Sequence, residues 1–233
     1  MLLSRRPFKE GDDLVEGFSC SLGRLTAVAK GGRRKGSALL EPPVCIEARF
    51  RRGRTLDNLS QPNLLNPYSR VKRNLPALLT AGFLSRIFLA SVPERDGDGR
   101  FYLLLERLLD ALSENVEPAL VGLWGQARLL YCLGVAPNLS LCSGCGALEV
   151  QGYSAPTGGL LCGGCYEGVG FALSAATIEF GRLLSERPLE DAFPVLESAF
   201  KVGLGRLYKE HFQVHLGLEA RYFKRVLPER GLT

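Results

Sequence analysis

Apolar and polar residues alternate along the first part of the chain, which is the pattern of strands that bury one face. The clearest run covers residues 44–51, in which four apolar residues alternate with a cysteine and three charged residues: Val44, Ile46, Ala48 and Phe50 against Cys45, Glu47, Arg49 and Arg51. Residues 14–19 and 23–30 predict a hairpin, and residues 55–59 predict a return strand. Several short strands without helices between them predict a small OB-type barrel over residues 1–62.

Helical spacing replaces this alternation further along the chain. Residues 61–67 predict a linker, because two prolines flanking asparagines disfavour both helix and sheet. Apolar residues then recur at helical spacing, with a break at residues 96–99, a start near Pro118 and a left-handed stop at Gly134. This leucine-rich stripe fits a partner groove or the core of a helical bundle, and we expect the core.

Two more helices are predicted in the last third of the chain. One begins after Ser174 as its N-cap and ends near residue 185, and the other covers residues 194–216. A glycine-rich segment, residues 138–170, lies between the helical parts and holds paired cysteines. A helical domain interrupted by a small inserted module is therefore expected.

The cysteine pattern carries the most specific chemistry in the sequence. Four of the seven cysteines form two Cys-x-x-Cys pairs with sixteen residues between the pairs: Cys142, Cys145, Cys162 and Cys165. Two such turns, rich in glycine, bring four thiolates into a tetrahedron, and this spacing lies within the zinc range. The sequence therefore predicts one structural zinc ion. The scattered Cys20, Cys45 and Cys132 have apolar neighbours and are expected to be small core residues.

Two other kinds of chemistry compete for the paired cysteines. A thioredoxin-type redox pair would open a helix beside a strand, and neither pair has that context. An iron–sulfur cluster fits the ligand count, although the spacing and the glycines favour zinc. Four thiolates leave no coordination position open for water, so the expected site is structural rather than catalytic.

The expected architecture combines these parts. It is an α+β multidomain chain with an N-terminal OB-type β-barrel followed by an α-helical domain with an inserted four-cysteine zinc module. The expected boundaries are residues 1–62 for the barrel, 68–137 and 171–233 for the helical domain, and 138–170 for the zinc module.

Charge is distributed unevenly and adds a candidate binding surface. Residues 1–75 hold 15 Lys/Arg against 7 Asp/Glu, whereas the remainder holds 14 against 17. Glycines flank three consecutive cations in the loop at residues 30–37, where a flexible backbone can approach phosphates closely. Such a loop is either merely solvated or bound to nucleic acid, and its place on a barrel favours nucleic acid. The candidate DNA-binding residues are Lys30, Arg33, Arg34, Lys35, Arg49, Arg51, Arg52, Arg54, Lys72 and Arg73.

No enzyme signature is found. His211 and His215 have the i, i+4 spacing of a metalloprotease helix, but the glutamate that would act as general base is missing between them. We therefore expect ordinary core or surface histidines. Phe18 and Phe50 fall on the apolar alternation and are expected in the core rather than as platforms for bases. The absence of a phosphate loop, a nucleophile elbow or an acid pair argues against catalysis.

Several stretches, in order and spacing, resemble the RecO family of bacterial recombinational repair proteins. They run over almost the whole chain: residues 6–12, 29–37, 40–42, 129–139 just before Cys142, and 158–162 at the second cysteine pair. The resemblance implies an OB fold, a helical domain and a zinc module. It also implies binding of single- and double-stranded DNA, annealing of complementary strands, and work with RecR in loading RecA onto DNA coated by single-stranded-DNA-binding protein.

The resemblance further suggests that the helical part receives the acidic C-terminal tail of single-stranded-DNA-binding protein. Candidate cations for that tail are Arg70, Lys72, Arg73, Arg86 and Arg128. The expected function is a DNA repair and recombination mediator without covalent chemistry. The alternative is a zinc-ribbon protein–protein adaptor that does not bind DNA, and a metal-dependent nuclease is a more distant rival.

The expected location is the cytoplasm, with nucleoid association during repair. No run of about 18 apolar residues is present, so no membrane span is expected. The segment Met1–Arg6 has too few apolar residues to resemble a signal peptide.

Overall fold

The computed structural model describes residues 1–9, 11–31, 37–95, 97–166, 168–191 and 196–223. It divides into two compact units, Met1–Pro118 and Ala119–Thr233. The sequence predicted three parts whose boundaries lie at other residues than this division. That three-part organisation stays a prediction. No helix among the described residues combines the length and the apolar character that crossing a membrane requires.

The first unit contains a closed five-stranded barrel. Its strands are β1 (Leu2–Phe8), β2 (Asp12–Ser19), β3 (Gly23–Ala29), β4 (Cys45–Arg51) and β5 (Asp57–Asn66). They are ordered β1-β2-β3-β5-β4, with β3 and β5 parallel. Leu2 and Val44 close the barrel through two backbone hydrogen bonds of 2.8 and 3.2 Å between β1 and the start of β4. This is the predicted OB-type arrangement.

The barrel interior follows the predicted alternation. Its buried cluster draws one or two apolar residues from each strand and neighbouring turn: Leu2, Val15, Ala27, Ala29, Leu40, Val44 and Leu59. Ile46, Ala48 and Phe50 pack against this cluster, while Glu47, Arg49 and Arg51 are exposed. Phe18 is 1% exposed. The prediction that Phe18 and Phe50 belong to the core is confirmed.

The structure places two of the scattered cysteines differently from each other. The prediction that Cys20 is a core residue is wrong, because this residue lies exposed in the turn after β2. The prediction that Cys45 is a core residue is confirmed, because it is buried, although the strand alternation placed it with the charged residues on the other face. A register irregularity between Cys45 and Ile46 breaks the alternation there. The Cys45 sulfur lies 3.5 Å from the Tyr102 hydroxyl.

The predicted linker at residues 61–67 is also wrong. Strand β5 continues through this segment and pairs with β4 as far as Asn66. Gln61 has a left-handed φ of 52°, and the pairing register shifts between Glu47 and Arg49 opposite it. Such a bulge accommodates Pro62, which has no amide hydrogen to donate to the ladder.

Three helices complete the first unit: α1 (Ser69–Arg73), α2 (Leu75–Ser91) and α3 (Gly99–Ser113). The Asn74 side chain accepts a hydrogen bond of 3.2 Å from the Ala77 amide and caps α2. Asp98 caps α3 in the same way through the Arg100 amide, at 2.9 Å. The Asn74 cap separates α2 from α1, and the Asp98 cap explains the predicted break between α2 and α3, because each satisfies an amide that has no partner within its helix.

The leucine stripe of α3 is buried, so the core interpretation is confirmed for this helix. One face of α3 holds the buried residues Phe101, Leu104, Leu105, Leu108, Leu109 and Leu112. Phe18 of the barrel contacts Phe88 of α2 and Phe101 of α3, with ring centroids 6.3 and 6.4 Å apart. The barrel and α2–α3 therefore share one apolar core.

The connection between α2 and α3 crosses the outside of the barrel. Residues 92–95, which we call the covering segment, pair with β3 at Arg24. The Arg95 amide donates to the Arg24 carbonyl at 2.8 Å, and the Arg24 guanidinium donates to the Val92 carbonyl at 2.9 Å. The covering segment thus lies along β3.

The second unit is built around a small sheet. Its elements are α4 (Pro118–Cys132), β6 (Gly152–Ser154), β7 (Gly159–Leu161), α5 (Gly163–Tyr166), β8 (Phe171–Ala172), α6 (Ala175–Glu186) and α7 (Ser198–Leu216), and the sheet order is β7-β6-β8. Pro118 begins α4 and Gly134, at φ 73°, follows its end, as predicted. The predicted Ser174 cap is confirmed by a 3.2 Å bond from the Thr177 amide. The last helix begins at Ser198, and Pro194 lies outside the described residues.

Candidate metal centre and nucleic-acid interface

Four cysteine side chains converge in the second unit. Cys142 and Cys145 lie in a turn before β6, while Cys162 follows β7 and Cys165 lies in α5. Their sulfur atoms all lie within 4.8 Å of one another. The structure therefore brings together the four cysteines that the spacing selected.

Backbone hydrogen bonds set the geometry of both turns. The Gly146 amide donates to the Cys142 carbonyl at 2.8 Å, and the Cys142 amide donates to the Ala147 carbonyl at 2.9 Å. In the second turn the Cys165 amide donates to the Cys162 carbonyl at 3.2 Å. These hydrogen bonds close both turns, so that each turn directs its own two sulfurs to the same side.

One glycine is required by the close approach of the two turns. A Cβ at Gly144 would lie 3.0 Å from the Cys165 sulfur and 3.3 Å from its Cβ. A third contact ties the first turn to the sheet, since the Ser143 amide donates to the Leu160 carbonyl of β7 at 2.7 Å. Together these contacts form a cradle in which a larger residue at position 144 would push the sulfurs apart.

The electrostatics of the cluster favour a bound cation. Backbone N–H groups, first that of Cys162 and then those of Cys145 and Gly144, stabilise the thiolate and lower the pKa of Cys142 to about 6. Contacts with the other three sulfurs raise the pKa of Cys165 to about 12. Four thiolates this close repel one another unless a positive ion offsets their charge. The donor set therefore fits a metal ion bound by four cysteines.

The histidine pair has a structural role within the second unit. His211 Nε2 lies 2.6 Å from the Val135 carbonyl, which can only accept, so Nε2 carries the proton. The Tyr153 hydroxyl then donates to Nδ1 at 2.5 Å. His215 Nε2 donates to the Ala155 carbonyl at 2.8 Å. The expectation of ordinary histidines is confirmed, because each engages the protein's own backbone.

The buried imidazole predicts a pH-dependent stability. Burial lowers the pKa of His211 from 6.5 to about 4. Above pH 6.5 the imidazole is neutral in both states, so its contribution is fully present. Between about pH 6.5 and 4 the unfolded chain binds a proton that the folded chain does not, so the free energy of unfolding falls by on the order of 3 kcal/mol.

Urea titrations at a series of pH values check this expectation. His211→Gln removes the titrating group, so its stability should change less between pH 6.5 and 4 than that of the unaltered protein. Equal slopes for the two proteins would show that His211 does not carry the acid sensitivity.

Four of the candidate DNA contacts lie exposed on the barrel. Arg49 and Arg51 project outward from β4, and Arg52 and Arg54 lie in the turn that follows. Within the described part of the chain, none of these four guanidinium groups takes part in a salt bridge. By contrast, Arg5, Arg24 and Arg95 of the same unit pair with Asp13, Glu16 and Asp57.

The remaining candidates are placed in different ways. Lys30 is exposed in the turn after β3, and Arg73 is exposed at the end of α1. The Lys72 ammonium donates to the Glu41 carbonyl at 2.7 Å, and its partial burial lowers its pKa. Arg33, Arg34 and Lys35 lie outside the described residues.

Two polar residues beside these cations were not found from the sequence. Ser60 lies opposite Arg49 and Asn58 opposite Arg51 in the antiparallel β4–β5 pair. Directly opposite residues project to the same face of such a pair. Their place depends on a pairing register that shifts at a bulge, and no local sequence signal reports it.

Comparisons with known proteins converge on one family. The family described as "Recombination protein O N terminal" matches residues 1–68, and "Recombination protein O C terminal" matches residues 72–221. A protein of Rubrobacter xylanophilus named "DNA repair protein RecO" is 30% identical over 223 residues, which cover 89% of this chain and 87% of the relative. The same name is carried by relatives from Gloeobacter violaceus, 30% identical with 91% and 85% covered, and from Alkaliphilus metalliredigens, 24% identical with 92% and 91% covered.

Proposed function

Because this chain belongs to the RecO family of DNA repair and recombination proteins, we propose that it is a mediator that binds single- and double-stranded DNA and anneals complementary strands. It works with RecR to load RecA onto DNA coated by single-stranded-DNA-binding protein. The observation that supports this most is the set of exposed arginines on the barrel that form no salt bridge with any described residue: Arg49, Arg51, Arg52 and Arg54. Cations that are not engaged by the protein's own carboxylates are available to phosphates.

Annealing follows from the kind of contact that such cations make. Phosphate contacts position a strand without specifying its sequence. A protein that holds two strands by their backbones leaves the base edges free to pair. Net charge on the first part of the chain also raises the rate at which strands are captured.

The metal in this proposal is one structural zinc ion held by Cys142, Cys145, Cys162 and Cys165. When bound, zinc supplies the positive charge that keeps four thiolates together and fixes the two turns to each other. A tetrahedral set of four thiolates is closed to water, so the site does not activate a nucleophile. The mediator therefore has no covalent chemistry at this site, in contrast to a metal-dependent nuclease.

Protein partners belong to the same proposal. RecR and the acidic tail of single-stranded-DNA-binding protein are expected to contact this chain in the cytoplasm, at the nucleoid during repair. An acidic tail needs cations at the rim of an apolar pocket. Arg70 is one exposed candidate, whereas Arg128 already donates to the Arg187 carbonyl at 2.7 Å.

The first test removes the cations of the loop after β3. Arg33→Ala, Arg34→Ala and Lys35→Ala together are expected to weaken DNA binding at all sequences alike. Three lost phosphate contacts should reduce the slope of log affinity against log salt by about 2 for single strands, at roughly 0.7 per contact. Salt titrations of labelled single-stranded DNA measure this slope.

The outcomes separate the proposal from its rivals. An unchanged slope would mean that the loop is only solvated, and a sequence-selective loss would indicate base readout. If the unaltered protein binds no DNA even at low salt, the adaptor function is favoured instead. Metal-dependent cleavage of the DNA would favour a nuclease.

A further inference from the structure

OB folds commonly bind oligonucleotides on the face formed by their second and third strands. In this barrel the β3 part of that face is covered by the protein itself. Here the covering segment, residues 92–95, is fixed to it by more than the Arg24 bonds. The Thr26 hydroxyl donates to the Glu94 carboxylate, and the Arg95 guanidinium pairs with Asp57 at 2.7 Å. A strand of DNA on this side would have to displace these contacts.

The outward face of β4 and β5 is open and cationic. Arg49 and Arg51 are two residues apart and therefore lie on one face of β4. Ser60 and Asn58 stand opposite them on β5, where the Ser60 hydroxyl donates to the Arg49 carbonyl at 3.4 Å and the Asn58 amide offers a neutral hydrogen-bond donor. Arg52 and Arg54 extend the charge into the following turn, while Glu47 marks its other end. We name this surface, from Arg49 to Arg54 with Asn58 and Ser60, the basic ribbon.

The first unit exposes no aromatic platform for bases. Its Phe and Tyr residues are all buried or half-buried in the described part of the chain: Phe8, Phe18, Phe50, Tyr68, Phe83, Phe88, Phe101 and Tyr102. The few residues of this unit outside the described ranges include no aromatic residue. Barrels that hold single strands by their bases stack them on exposed aromatic rings. This barrel therefore offers exposed cations for phosphates but no exposed aromatic ring on which a base could stack.

From these three observations we infer that a DNA strand lies across the basic ribbon and not along the β2–β3 face. The protein holds the strand by its phosphates, and the bases do not stack on protein side chains. This inference rests on the proposed DNA binding and assigns it a surface and a contact type. A strand held in this way presents its bases to a complementary strand, which is the arrangement that annealing needs.

The first experiment compares two charge-matched double variants of the full chain. Arg49→Gln with Arg51→Gln removes two ribbon cations but keeps long polar side chains. Arg6→Gln with Lys9→Gln removes two exposed cations elsewhere in the same unit. The ribbon variant should bind labelled oligodeoxythymidylate roughly tenfold to thirtyfold more weakly at 0.1 M salt, with a log–log slope smaller by about 1.4. The control should change affinity by less than about threefold, and thermal melts confirm that both variants fold.

A second probe tests the contact type. An abasic deoxyribose-phosphate chain of the same length should bind the unaltered protein within about threefold of oligodeoxythymidylate, whereas stacking would make it more than tenfold weaker. Equal losses in the two double variants, or a large loss with the abasic chain, would overturn the inference while leaving DNA binding intact. Failure of the unaltered protein to bind either probe at low salt would refute the proposed function itself.

Discussion

Replacing Cys165 by serine is expected to leave the protein without bound metal and to lower the stability of its second unit strongly. The sulfurs of Cys142, Cys145 and Cys162 would remain, but three thiolates and a hydroxyl bind zinc much more weakly than four thiolates. Structural zinc contributes roughly 10–16 kcal/mol of apparent binding free energy in small zinc-dependent folds, and that free energy stabilises the folded module. Cys142→Ser is expected to have the same effect.

Elemental analysis and limited proteolysis measure the two parts of this prediction. The unaltered protein should carry one zinc per chain and resist cleavage within residues 138–170, whereas the variants should do neither. Cys20→Ser is a matched control, because Cys20 is exposed and lies outside the cluster. Iron in the purified protein, or no metal after expression with added zinc, would contradict the zinc assignment.

Leu108→Ala in α3 is expected to destabilise the first unit by about 2–5 kcal/mol. Leu108 is 0% exposed in the core that α3 shares with the barrel, so truncation leaves a cavity there. Leu103 lies on the same helix and is 61% exposed, which makes Leu103→Ala the natural control with an expected effect of about 0.5 kcal/mol or less. Urea unfolding followed by circular dichroism compares them. Equal effects at the two positions would mean that this face of α3 is not the buried one.

Features that depend on local spacing could be predicted from the sequence. The β2–β3 hairpin follows from alternation around a short turn, and the Ser174 cap of α6 follows from a side chain three residues from its partner. The metal cluster belongs to the same class. Each Cys-x-x-Cys pair forms its own turn, and four thiolates have few arrangements other than around one ion.

Features that depend on contacts between distant segments could not be predicted. A bulge at Gln61 lets β5 pass through a proline that otherwise indicates a linker. Cys45 leaves the charged face because the register shifts beside it, and its neighbour Tyr102 is 57 residues away. The covering segment contacts β3 through Glu94, and no pattern in residues 92–95 indicates that partner.

The shared core of the barrel and α2–α3 has a consequence for synthesis on the ribosome. Once residues 1–68 have been translated, the nascent chain already contains all five barrel strands. Phe18 nevertheless still lacks both of its ring partners, Phe88 and Phe101, and faces water or a chaperone until α3 leaves the exit tunnel. The barrel of this protein therefore completes its apolar contacts only some tens of residues after its last strand has been translated. A fragment that ends at residue 68 lacks both ring partners of Phe18 altogether.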